Sequence, residues 1–151
     1  MKHSDRTRVL GRCVLIVDDE EDTRELLGSM LERAGANVIE ASSVDEALEC
    51  FRIVTVDLVV SDIRMPGRDG YSFIRELRQR EEVGSTVPAL ALTACVEASD
   101  RAQALEAGFD MHAAKPMTSM ELLELAVELM SSNPRSRRKQ LAAKAANGNN
   151  R

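Results

Sequence analysis

The chain has 151 residues, 44% hydrophobic and 30% charged, enough for one domain whose core needs neither disulfides nor a structural metal, and a composition that excludes a disordered chain. Its formal net charge of −5 hides an asymmetry: residues 1–12 carry +3 and residues 131–151 carry +6, leaving −14 on residues 13–130, a body that repels phosphate backbones and argues against nucleic acid as partner. Cys13, Cys50 and Cys95 show no C-x-x-C spacing, which argues against a disulfide framework or a zinc site, and no charged-then-apolar leader or spanning run is present, so the expectation is a cytoplasmic protein in a reducing compartment.

A short basic arm, residues 1–11, precedes the first predicted strand, "CVLIVD" (13–18). A helix is predicted over 22–35, where Leu26, Leu27, Met30, Leu31 and Ala34 recur at helical spacing and Gly35 sits at the expected C-cap. Next come the strand "NVIEA" (37–41), a helix over 44–53 behind Ser43, the strand "VDLVVSD" (56–62) and a helix over 69–81. The strand "VPALALT" (87–93) leads to a helix over 98–107 closed by Gly108, and "MHAAKP" (111–116) leads to the last helix, 118–131. Ser119 opens that helix, and Leu122, Leu123, Ala126, Val127 and Met130 form its apolar stripe. The helical stripes are core. Residues 132–151 follow as a basic tail that contains Pro134 and no aromatic residue, which suits a solvated arm better than a nucleic-acid contact.

Five repeats of strand and helix imply parallel strands joined by right-handed crossovers with helices on both faces, an α/β doubly wound sheet. Continuously apolar runs such as "LIV" and "DLVV" fit strands covered on both sides. Ligand sites in such sheets lie beyond the carboxyl ends of the strands, where strand order reverses. The residues at those ends are Asp18, Asp19, Asp62, Thr93 and Lys115. Three carboxylates brought together repel unless a cation neutralises them, and an all-oxygen set of this kind suits Mg²⁺. With an ammonium and a hydroxyl added, the set is suited to handling a phosphoryl group. A single acid at a strand end is more often a helix cap or a solvated side chain, and Asp22 is read that way. Cys95 has no histidine and acid beside it and is read as a small buried or loop residue.

The strings "LIVDDEED", "VVSDIRMPGRDGY", "LALTA" and "AAKPM", in that order and each at the end of its element, resemble the receiver domains of two-component response regulators over residues 12–131. The resemblance implies a flavodoxin-like five-stranded sheet of order 2-1-3-4-5. It implies that Asp62 accepts a phosphoryl group from a histidine kinase or phosphotransfer protein. It makes Asp18, Asp19, Asp62 and the backbone carbonyl of Arg64 the ligands of Mg²⁺ or Mn²⁺, and pairs Lys115 with the phosphoryl oxygens beside a cis Lys115-Pro116 bond. Thr93 and the strand-5 position, His112 here, become the switch that remodels the surface of helix 4, strand 5 and helix 5. The protein is then a signalling switch rather than an enzyme with a separate substrate, either a monomer or a dimer formed on phosphorylation.

Two positions depart from the family pattern: His112 replaces the usual Tyr or Phe, and Arg64 occupies the place two residues past Asp62 that tunes hydrolysis of the phosphoryl group. Arg64 also counts against a haloacid-dehalogenase-like phosphatase, which needs a second Asp there. The loop "DDEED" lacks the glycines of a Rossmann or P-loop nucleotide site. A receiver reduced to a protein-interaction module normally lacks part of the acidic set, and all of it is present. The roughly 20 residues after the last helix are too few for an output domain, so the expected signal leaves through a surface.

Overall fold

A computed structural model describes residues 9–80, 86–94 and 97–131. Along it run β1 (Cys13–Val17), α1 (Glu21–Arg33), β2 (Asn37–Ala41), α2 (Val44–Ile53), β3 (Leu58–Asp62), α3 (Gly70–Gln79), β4 (Ala89–Thr93), α4 (Ala98–Ala107), β5 (Met111–Ala114) and α5 (Ser119–Ser131). The strands among the described residues form one parallel sheet in the order β2-β1-β3-β4-β5, as the doubly wound reading requires.

Burial on both sides explains the unbroken apolar runs of β1, β3 and β4. Leu15, Val17 and Val59 pack with Phe73, Ile74, Leu77, Ala104 and Phe109 beneath α2, α3 and α4. Val14, Ile16, Leu58 and Val60 pack with Leu27, Leu31, Leu122 and Ala126 beneath α1 and α5. Each strand residue thus alternates between two dry layers.

Local signals set the helix ends. Ser43 caps α2, its hydroxyl accepting from the Glu46 N–H at 3.2 Å, and the Asp69 carboxylate caps α3 through the Ser72 N–H at 2.9 Å. Gly35 stands at φ +93°, its N–H donating to the Glu32 carbonyl while Ala36 N–H donates to Leu31, a Schellman ending for α1. At the start of α5, Thr118 and Glu121 exchange side-chain to backbone bonds, each 3.2 Å, so Thr118 supplies the cap and Ser119 is the first helical residue.

Several expectations are corrected. Leu26 is 55% exposed and does not belong to the α1 core stripe. At 100° per residue it sits on the rim of the arc made by Leu27, Met30, Leu31 and Ala34. β3 and β4 begin two residues later than expected, because Val56 and Val87 are buried but lie outside the ladder. β1 ends at Val17 and β5 at Ala114, so Asp18, Lys115 and Pro116 stand just beyond their strands. α1 and α3 are shorter than expected, at Glu21–Arg33 and Gly70–Gln79. Residue 81, Cys95, residues 1–8 of the arm and the tail 132–151 lie outside the described residues. No helix among the described residues is long and apolar enough to cross a membrane.

Candidate functional site

Register brings the site together. β1 pairs with β3 through Val17 opposite Ser61, which sets Asp18 beside Asp62 one step further along. β4 pairs with β5 through Thr93 opposite Ala114, and the Lys115 N–H donates to the Thr93 carbonyl at 2.9 Å. The order of connection reverses at β1 and β3, so the acids meet where a doubly wound sheet opens its crevice.

One carboxylate oxygen from each of Asp18, Asp19 and Asp62 lies within 4.8 Å of the others. Asp18 is 1% exposed, Asp62 is half-buried and Asp19 faces solvent. The Lys115 ammonium sits 2.6 Å from Asp18 Oδ2 and 3.5 Å from Asp62 Oδ1. The peptide bond between Lys115 and Pro116 is cis, as the resemblance implied. Backbone N–H groups complete the carboxylate contacts: Glu20 donates to Asp18 Oδ1 at 3.0 Å and Ile63 to Asp62 Oδ1 at 2.9 Å.

Burial pushes the Asp62 carboxyl above its ordinary range; Lys115 pulls it back, the Asp18 charge raises it, and the Ile63 N–H favours the ionised form. Burial alone would lower Lys115, but its bonds to Asp18 and Asp62 outweigh it, and the ammonium stays protonated with a raised pKa. Hard cations such as Mg²⁺ take carboxylate oxygens. Each of the three acids would offer one oxygen, all within 4.8 Å of one another, and each engaged oxygen keeps a second lone pair. The donor set fits a hard divalent cation.

The loop after β3 is built for close approach. A Cβ on Gly70 would lie 2.8 Å from the Ile63 Cα and would press on the Asp62 carbonyl, while the Gly70 N–H donates to Ile63 at 2.7 Å. Arg68 ties the loop to Asp45 of α2 at 3.1 Å and to Glu76 of α3. Arg64 is exposed at its start, next to Asp62 and Ile63. Thr93 is buried at the end of β4. His112, on β5 opposite Ala91, has both ring nitrogens shut away from solvent with no hydrogen-bond partner among the described residues. Burial depresses its pKa; the Asp100 carboxylate opposes this and Arg101 adds to it.

The family model for the response regulator receiver domain matches residues 14–127. The chain belongs to that family. This receiver is 43% identical over 112 residues to an uncharacterized 14.6 kDa protein from the sodA1 3′ region of Leptolyngbya boryana, covering 74% of this chain and 85% of that one. It is 36% identical over 127 residues to hybrid signal transduction histidine kinase D of Dictyostelium discoideum, covering 80% of this chain and 8% of the kinase. Among solved structures, the receiver domain of a sensor histidine kinase from Pseudomonas aeruginosa, with a magnesium ion coordinated in its active-site cleft, matches at a TM-score of 0.74 and 32% identity, over 81% of this chain and 99% of that one. The receiver spans less than half the length of several curated relatives that it matches.

One residue in contact with the acidic pair went unnoticed in the sequence. Arg24, in the first turns of α1, donates from Nη1 to the Asp18 carbonyl at 2.7 Å. Its sequence signal is a basic residue two positions past a run of five acids.

Proposed function

We propose that this receiver is a phosphorylation-controlled switch in which Asp62 takes a phosphoryl group from a phosphohistidine of a histidine kinase or phosphotransfer protein in the cytoplasm. The observation that carries this reading is the convergence of Asp18, Asp19 and Asp62 with the Lys115 ammonium 3.5 Å from Asp62 Oδ1. Asp62 Oδ attacks phosphorus, the P–N bond breaks, and the departing imidazole keeps the electron pair and takes up a proton. Asp18, Asp19, Asp62 and the Arg64 carbonyl would hold Mg²⁺ or Mn²⁺. A divalent ion bound there neutralises the acids and the incoming phosphoryl oxygens. Lys115 supplies a second positive charge, exchanging part of its contact with Asp18 for the new phosphoryl oxygens. The Thr93 hydroxyl turns toward the phosphoryl group, the His112 ring shifts with it, and the surface of α4, β5 and α5 changes for a downstream protein. The receiver acts on itself alone, through its own phosphotransfer and dephosphorylation.

The test is incubation with acetyl phosphate and Mg²⁺, read by intact mass. One base-labile phosphoryl group is expected, and chelation by EDTA should slow incorporation about a thousandfold, equivalent to ~4 kcal/mol of barrier. Asp19→Ala should slow it comparably and Asp62→Ala should abolish it. Lys115→Ala should reduce the phosphorylation-dependent amide shifts of α4 more than the incorporation itself. Labelling that needs no divalent ion, or that persists in Asp62→Ala, overturns the reading.

A further inference from the structure

β1 stops at Val17, so the Asp18 carbonyl has left the strand ladder, although the Asp18 N–H still donates to the Ala41 carbonyl at 3.1 Å. That carbonyl belongs to the peptide unit joining Asp18 to Asp19, and its orientation decides where the second carboxylate points relative to the first. Arg24 Nη1 holds it at 2.7 Å. The other side of the guanidinium faces β2, with Nε 3.7 Å from Glu40 Oε1. The Arg24 side chain is 16% exposed and the Glu40 side chain 43%, so Arg24 is the inner member and Glu40 its outer anchor. The Asp18–Asp19 unit is thus fixed through Asp18 N–H, through Asp18 C=O and through the Glu20 N–H on Asp18 Oδ1. Lys115 also holds Asp18, through Oδ2 at 2.6 Å, but belongs to the phosphoryl site; Arg24 is the side chain that holds the Asp18 backbone, and a substitution can remove it.

We propose that Arg24 is a positioning residue for the divalent cation: by clamping the Asp18 carbonyl between α1 and β2 it sets the relative pose of the Asp18 and Asp19 carboxylates. This rests on the metal-holding reading above. A planar guanidinium can hydrogen-bond one carbonyl while ion-pairing a carboxylate on another element, which a lysine ammonium does less well. Partners of metal ligands act by fixing ligand orientation, and their loss lowers metal affinity without removing a ligand.

The experiment is calorimetric titration of Mg²⁺ into the full chain. Arg24→Ala should raise the Mg²⁺ dissociation constant about tenfold, with Arg24→Lys in between and Glu40→Gln raising it about threefold. At saturating Mg²⁺, acetyl phosphate incorporation in Arg24→Ala should return toward the wild-type rate, whereas at limiting Mg²⁺ it should lag, a split that a purely structural role does not produce. A folded Arg24→Ala whose constant stays within about twofold of wild type overturns the proposal. If Arg24→Ala does not fold, wild-type constants in both Arg24→Lys and Glu40→Gln overturn it. An equal rise in Arg52→Ala, whose exposed arginine pairs with Glu49 on α2 far from the acids, overturns it too. A wild-type chain that binds no Mg²⁺ instead fails the metal reading itself.

Discussion

In the proposed phosphotransfer Asp62 attacks in its ionised form, yet burial and the neighbouring Asp18 both push its carboxyl toward the neutral form. Lys115 and the Ile63 N–H oppose that push, which explains why an ammonium stands among the acids. His112 is the converse case, a base kept neutral. Among the described residues its ring nitrogens are shut from solvent without partners, and its pKa is depressed by burial, so the folded chain resists a proton that the unfolded chain accepts. The associated stability is complete above the unfolded histidine value of about 6.5 and is lost as pH falls through the lower folded value. Urea unfolding midpoints at about pH 7.5 and about pH 5.5 should therefore drop more for wild type than for His112→Phe, which has no proton to take up. An equal drop in both would show that His112 is not held neutral. That His112 sits on the fifth strand was visible in "MHAAKP"; that its nitrogens meet no partner among the described residues was not, because that depends on what α4 and β4 bring against it.

At the scale of elements, the far ends of β4 and β5 are tied by a buried ion pair. Arg78 of α3 reaches Asp110 Oδ2 at 3.1 Å and the Gly108 carbonyl at 2.9 Å, and also bonds the Val87 carbonyl, while the Ala89 N–H donates to Asp110 Oδ2 at 2.9 Å. Both side chains are below 10% exposed. Asp110→Ala removes a buried charged partner of Arg78 and should cost about 3 kcal/mol in urea unfolding, against under about 1 kcal/mol for Glu49→Ala in an exposed pair. Similar losses in the two would show that the Arg78 pair carries no special weight. Strands were legible because burial on both faces writes unbroken apolar runs, and the site acids were legible because they follow those runs directly. Boundaries were less so: Val56 and Val87 are as dry as ladder residues without pairing, and Leu26 carries a core side chain on the rim of its helix. Thr118 and Glu121 form the capping pair that the expectation of Ser119 at the helix start missed. Arg24 was hard to read because its partner is a backbone carbonyl, and the only mark in the sequence is a basic residue two positions past the acids.

For the whole molecule, topology is what turns five scattered residues into one centre. The order β2-β1-β3-β4-β5 makes β1 and β3 neighbours although α1, β2 and α2 separate them in the chain, so Asp18 and Asp62 meet across 44 positions. Lys115 arrives from the edge strand, 97 positions from Asp18. A different strand order would leave each acid a solvated loop residue. The measurement that bears most directly on this account is where the phosphoryl group goes. After incubation with acetyl phosphate and Mg²⁺, borohydride reduces an aspartyl phosphate to homoserine, and peptide mass spectrometry locates the altered residue. The account predicts homoserine at position 62 alone, absent when Mg²⁺ is chelated; homoserine at Asp18, Asp19 or any other aspartate, with Asp62 intact, would contradict it.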